Sequence, residues 1–344
     1  MKSIVCYGEK DIRIEEREKP TINAGELAIT VKAGGICGSD LHYYQHGGFG
    51  SIRLHEPMIL GHEVCGRVAE LGAEVSGLHA GDLVAINPSR PCGHCEYCTK
   101  AYYNHCLEMN FYGSAMRNPH VQGAFQQVLI VAASQCARLP EHVNPYHGAF
   151  AEPLAVALHA VKQAGSLMGK RVLITGSGPI GALVVAVAKL HGALEVVATD
   201  IVDQALQKAQ LMGADKTINT LTDTNLLNIY AKNKGYFDVV IEASGAQAAI
   251  LTAIDAIRPR GKFIQLGLGA DVTLPMQKIV SKEIEMKGSF RFHEEFFLAA
   301  EVIGLGRINL DNLLSAVFPV EQAVEAFERA GDRNLSMKVQ IDFE

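Results

Sequence analysis

Four cysteines, Cys92, Cys95, Cys98 and Cys106, fall within fifteen residues as C-x2-C-x2-C-x7-C. Four thiolates on so short a loop can close a tetrahedron around Zn2+ and leave no position for a substrate, which makes this a structural rather than a reactive metal site. An iron–sulfur cluster is the other metal that suits such ligands, and free thiols are the reading without one. A second donor set is dispersed: Cys37 in GGICGSDLH, and the pair His62–Glu63 in LGHEVCG. A sulfur, an imidazole nitrogen and a carboxylate oxygen from separate segments make an incomplete zinc shell, the kind that keeps one position for water or a substrate oxygen. Taken singly, a cysteine is more often a small apolar core residue, and Cys6, Cys65 and Cys136 are read that way.

The third pattern is Gly176-Ser177-Gly178-Pro179-Ile180-Gly181, directly after the strand-like RVLIT and at the start of an apolar helical stretch. That setting turns a common glycine pattern into a dinucleotide fingerprint. The first glycine permits the tight turn, the second lets the backbone approach a pyrophosphate at the helix N-terminus, and the third lets the helix lie on the sheet. Nineteen residues after Gly181, Asp200 ends the next strand, where a carboxylate accepts from the adenosine ribose and repels a 2′-phosphate. Residues 201–205 contain no arginine to hold that phosphate, so NAD is favoured over NADP.

Two kinds of element must position these groups. Up to about residue 150 the chain shows short β-like runs, such as LAITVKAG and DLVAI, separated by glycine, proline and polar turns. From Lys170 strands and helices alternate: RVLITG, PIGALVVAVAKLHG, EVVATD, DQALQKAQLMGAD, FDVVIEAS and GKFIQLG. Strands joined by helices return to a sheet as parallel neighbours, which predicts a doubly wound α/β fold. Two helical stretches, HEEFFLAAEVIG and VEQAVEAFERAG, and the strand-like KVQIDF follow, and either extend this unit or return to the first.

Composition closes off other classes. At 344 residues and 48% hydrophobic content there is material for two cores. The net charge of −6 carries no basic block, which excludes nucleic acid as a partner. The N-terminus turns charged before a signal-length apolar run develops, and no apolar run is long enough to span a bilayer. Thiols at metal spacing point to a reducing, cytoplasmic setting.

In this order, CGSDLH, GHE, the four-cysteine loop and a later GxGxxG resemble the zinc-containing medium-chain dehydrogenase/reductase family over essentially the whole chain. CGSDLHYY, AEPLA and GSFRF resemble its polyol branch, of the sorbitol type. The resemblance implies a GroES-like β-rich catalytic domain, residues 1–150 completed by 290–344, and a Rossmann NAD-binding domain over 151–289. It implies two zinc ions per chain. Cys37, His62 and Glu63 match the catalytic ligands, with Glu152 of AEPLA as a further carboxylate, bound directly or through water; the four cysteines match the structural site. Ser39 matches the family's hydroxyl relay and His42 its solvent-facing member. Leu266-Gly267-Leu268 and Phe290-Arg291-Phe292 match segments on the nicotinamide side, while Tyr43, Glu152 and Arg291 match positions that meet the substrate. Without the resemblance, Ser39 is a turn residue, His42 a surface histidine, and Phe290 and Phe292 core packing.

The implied reaction is oxidation of a secondary alcohol on a polyol or sugar acid by NAD, in a homodimer or homotetramer. For a substrate carboxylate, a guanidinium offers a two-pronged, charge-assisted contact, with Arg291 first and Arg117 of SAMRNP second. The rivals are a polyol or threonine-type dehydrogenase of the same family and a zinc-stapled scaffold that has lost turnover.

Overall fold

A computed structural model describes the backbone of residues 1–344 and the side chains of all but residues 224–226. The chain forms two compact units: residues 1–152 with 296–332 and 338–344, and residues 153–295 with 333–337.

The first unit is organised round the strand Glu26–Gly35, in a seven-stranded sheet. One side pairs antiparallel with Glu63–Leu71; the other is shared by Val128–Ala132 along its first half and Lys338–Asp342 along its last residues. Leu27, Ile29 and Val31 join a core that also takes Phe327, Val339, Ile341 and Phe343 from the far end of the chain. Register brings chemistry to one end of this sheet. Gly35 lies opposite Glu63 on one side and Gln340 on the other. Cys37 therefore emerges from the sheet where Glu63 begins one neighbouring strand and Lys338 the other. Helix Gly38–His46 starts immediately after Cys37, with Cys37 as its N-cap residue.

The second unit is an all-parallel, six-stranded sheet whose strands stand in the order third, second, first, fourth, fifth, sixth: Lys216–Asn219, Glu195–Asp200, Arg171–Thr175, Phe237–Glu242, Ile257–Gln265 and Glu285–Gly288. All six residues of Phe237–Glu242 are buried, as a central strand covered on both faces requires. The order reverses between the first and fourth strands, and in such sheets a ligand crosses at that point, outside the carboxyl ends of the strands. This is the Rossmann arrangement expected from the strand and helix alternation. Among the described residues no helix is long and apolar enough to cross a membrane.

Candidate active site and cofactor-binding elements

The sheet register of the first unit gathers the dispersed donors. The Cys37 sulfur, a His62 ring nitrogen and a Glu63 carboxylate oxygen all lie within 4.8 Å of one another. A soft, a borderline and a hard donor at that spacing fit one Zn2+ with a position to spare. Among the described residues the buried Nδ1 of His62 has no hydrogen-bond partner, though it lies 3.7 Å from Asp40 Oδ1.

Residues that sequence reading missed hold the three in place. The fully buried Asp40, one turn into the helix after Cys37, accepts from the Cys37 N–H at 3.0 Å and from the Gly61 N–H at 3.0 Å. One carboxylate thus ties together the two segments that carry the donors. Lys338 Nζ, also buried, donates to both oxygens of Glu63 at 2.8 and 2.7 Å and to the Ile36 carbonyl at 3.1 Å. Gly35 leaves room for this pair, since a Cβ there would stand 2.2 Å from Glu63 Oε2. The Phe111 ring packs 5.4 Å from that of His62. The only sequence signals for these roles were the Asp in CGSD and a lysine at the head of an apolar strand.

The electrostatics follow from burial and crowding. Burial pushes the Cys37 thiol up to about 12; Glu63 adds to this, Lys338 opposes it, and Asp40 adds a little more. Burial likewise lifts Glu152 to about 8, with His62 opposing and Glu63 and Cys37 adding. Burial alone would lower Lys338, but Glu63 and Cys37 outweigh it and hold the ammonium charged. The cluster carries more potential negative charge than one lysine balances, and a divalent cation would relieve that imbalance. Glu152 stands in the first turn of helix Ala151–Ala164, outside the mutually close set of three.

Ser39 and His42 are three residues apart on helix Gly38–His46, hence on one face, Ser39 half-buried and His42 exposed. Tyr43 is buried, and its hydroxyl accepts from the Ala115 N–H at 3.0 Å. Arg117 is exposed and donates to the Glu108 carbonyl and Asn110 Oδ1 at 3.0 and 2.9 Å.

The sulfurs of Cys92, Cys95, Cys98 and Cys106 also lie within 4.8 Å of one another. Cys92 and Cys98 are 4.0 Å apart, far beyond the roughly 2.05 Å of a disulfide. Backbone N–H groups of Cys98 and Leu107 draw the Cys95 thiol down to about 6, which favours a thiolate. The donor chemistry fits a closed tetrahedral zinc site.

In the second unit the three glycines do three different things. Gly176 has φ +83°, a turn conformation costly for other residues, and a Cβ on Gly181 would stand 1.9 Å from the Gly176 carbonyl oxygen. A Cβ on Gly178 would meet nothing within 4 Å. Among the described residues nothing fills that space at the head of helix Pro179–Leu190, and a pyrophosphate suits it. Pro179 and Ile180 form the first turn of that helix. Asp200 accepts from the Ser177 N–H at 2.6 Å and from the Ile201 and Val202 N–H groups at 2.7 and 3.0 Å, so it anchors the glycine turn. The sequence alone predicts only a ribose role for it, not this one. Leu266 is buried and Leu268 is 78% exposed. Arg291, with φ +52°, lies over the Phe290 ring at 5.0 Å, and Phe292 is buried.

Comparison with known proteins agrees with this geometry. Residues 23–141 match the alcohol dehydrogenase GroES-like domain family, and residues 179–303 the zinc-binding dehydrogenase family. The chain is 45% identical to L-idonate 5-dehydrogenase (NAD(P)(+)) of Escherichia coli strain K12 over 343 residues, 99% of this chain and 98% of that one. It is 37% identical to sorbitol dehydrogenase of Gallus gallus over 331 residues, 95% of this chain and 92% of that one. The crystal structure of L-idonate 5-dehydrogenase from Escherichia coli K-12 superposes with a TM-score of 0.96 at 44% identity, covering 99% of this chain and 98% of that one. Given likeness over its whole length, the chain belongs to the zinc-binding dehydrogenases, as a zinc-containing, nicotinamide-dependent member of the medium-chain dehydrogenase/reductase family.

Proposed function

We propose that this chain oxidises the C5 hydroxyl of L-idonate to 5-keto-D-gluconate, with NAD as hydride acceptor and two zinc ions per chain. The observation that carries the reading is the convergence of Cys37, His62 and Glu63, within 4.8 Å, in a chain 45% identical to an L-idonate 5-dehydrogenase.

Cys37, His62 and Glu63 would hold the catalytic ion, with Glu152 as the further carboxylate; Cys92, Cys95, Cys98 and Cys106 would hold the structural one. A zinc ion bound by the first set supplies Lewis acidity that lowers the pKa of the substrate hydroxyl. Ser39 takes the proton that this hydroxyl gives up and passes it along its helix face to His42, whose exposed ring returns it to water. Tyr43 and Glu152 orient the substrate hydroxyls, and Arg291 pairs with its carboxylate. Gly176, Gly178, Pro179, Ile180 and Gly181 would cradle the pyrophosphate, Asp200 would accept from the adenosine ribose, and Leu266, Gly267, Leu268, Phe290 and Arg291 would seat the nicotinamide nucleotide. Asp200 spends three acceptor positions on backbone N–H groups, and a carboxylate has about four lone-pair sites, which leaves room for a ribose hydroxyl.

The test is a panel of aldonates and polyols assayed with NAD and with NADP, with zinc counted per chain. Idonate should exceed sorbitol and xylitol in kcat/KM by about tenfold or more, the return expected from one charge-assisted contact. A preference for a neutral polyol would instead support the second reading, a sorbitol-type dehydrogenase, which the 37% identity to the Gallus gallus enzyme favours. One zinc per chain without turnover would leave only a stapled scaffold. A homodimer or homotetramer accompanies the proposal, to be measured by light scattering on the eluting protein.

A further inference from the structure

Glu242 ends the fourth strand of the Rossmann sheet, is fully buried, and among the described residues has no cationic partner. None of the roles above uses it. Its Oε1 accepts from the Thr175 hydroxyl at 3.3 Å, the Ser244 N–H at 2.9 Å, the Gly245 N–H at 3.1 Å and the Ser244 hydroxyl. Its Oε2 accepts from the Gly245 N–H at 3.0 Å and the Gln265 side-chain amide at 2.7 Å, and that amide also donates to the Gly267 carbonyl at 2.8 Å. The Glu242 carbonyl takes the Leu266 and Gly267 N–H groups, each at 2.8 Å. One residue therefore fastens the ends of the first, fourth and fifth strands.

The loops it ties are in backbone contact. A Cβ on Gly267 would stand 2.3 Å from the Gly245 nitrogen, and one on Gly245 2.7 Å from the Leu268 carbonyl oxygen. A carboxyl group is costly to bury, and an apolar residue would pack here without that cost. What the carboxyl adds is order, because it can satisfy donors from several segments at once.

The place of this knot gives the order a purpose. The first and fourth strands flank the point where strand order reverses and a dinucleotide crosses. Asp200 marks the adenosine half, on the second strand, so the loops after the fourth and fifth strands face the other half. We propose that Glu242 is a positioning residue for the nicotinamide ring, fixing residues 243–246 and 266–269 at the spacing that the ring end of the cofactor needs. The inference rests on the dinucleotide reading above.

The test compares NADH with ADP-ribose, which lacks only the nicotinamide, as ligands of the purified, metal-replete protein, by NADH fluorescence and by calorimetry. Glu242→Gln turns one acceptor oxygen into a donor among donors. The Kd for NADH should rise about tenfold or more, while that for ADP-ribose changes less than about twofold. Equal weakening of both ligands, or no weakening of NADH, would overturn the proposal. If Glu242→Gln does not fold, Gln265→Leu removes the amide that joins Glu242 Oε2 to the Gly267 carbonyl but keeps the carboxyl and its other donors, and should weaken NADH about threefold with ADP-ribose unaffected; unchanged NADH binding would be equally fatal. Failure of the unaltered protein to bind NADH at all would strike the proposed function itself rather than this assignment.

Discussion

Asp40 accepts backbone N–H groups from both segments that carry Cys37 and His62, while Lys338 occupies both oxygens of Glu63. Such supporting groups set ligand orientation, and losing one typically costs about 10–100-fold in metal affinity. Asp40→Asn keeps the shape but puts an amide N–H against a backbone N–H. Zinc affinity should fall by about 10–100-fold, read by competition with a chromophoric chelator; an unchanged affinity would show that Asp40 only caps its helix. Lys338→Met leaves the Glu63 carboxylate buried without its counter-charge, which should cost about 3–5 kcal/mol in urea unfolding of the zinc-stripped protein. The three donors could be named in advance because they stand in CGSDLH and GHE, motifs that carry the family resemblance; taken singly, their residue types fit ordinary core or hydrogen-bonding positions. Lys338 was not, because its partner lies 275 residues away and strand register alone brings the two together.

Within the elements, Gly178 and Gly181 of one turn answer to different constraints. Gly181→Ala presses a methyl group against the Gly176 carbonyl 1.9 Å away and should destabilise the Rossmann unit by about 1–3 kcal/mol. Gly178→Ala points a methyl into open space, so unfolding should be nearly unchanged while NADH binding weakens. If both variants lose stability alike, the space beside Gly178 has no ligand role.

A second element-scale device is Glu295, at the head of helix Glu295–Gly304. Burial alone would raise its carboxyl, but His159, the His293 and Glu295 N–H groups and Lys162 together hold it far below its ordinary 4.5. A depressed carboxyl contributes stability that is fully present above the unfolded-state pKa and lost as pH falls toward the folded value. The gap in unfolding free energy between the natural protein and Glu295→Gln should therefore be constant above about pH 6 and shrink steadily toward about pH 3. A gap independent of pH would remove Glu295 from this role. Glycine spacing and strand–helix alternation made the turn readable in advance. The Glu295 and Glu242 clusters were hidden, because their partners come from helices or strands that only the folded sheet brings near.

At the scale of the molecule, the first unit is discontinuous in sequence and the second nearly continuous. Strand Lys338–Asp342 lies between Glu26–Gly35 and Leu314–Pro319, so residues 338–344 supply an interior strand. Deleting those seven residues should remove cooperative unfolding of the first unit and its zinc while leaving NADH binding by the second, checked by calorimetry, metal analysis and NADH fluorescence. Retention of two zinc ions would contradict the sheet order. The expectation of a β-rich domain was drawn from turn-punctuated runs near the N-terminus. Those runs left open where KVQIDF belonged, because one short apolar strand suits either sheet. The same arrangement orders events during synthesis. At about 5–20 residues per second, a ribosome that has made Glu63 needs on the order of 14–55 seconds more to reach Lys338, and the exit tunnel delays the last strand further. Residues 153–295 of the nucleotide-binding unit, all of it but the short segment 333–337, emerge ahead of that strand and are free to begin folding. The unit carrying Cys37, His62 and Glu63 keeps an open sheet edge until Lys338–Asp342 emerges, so its side-chain cluster is completed only after residues 153–295 are free to fold.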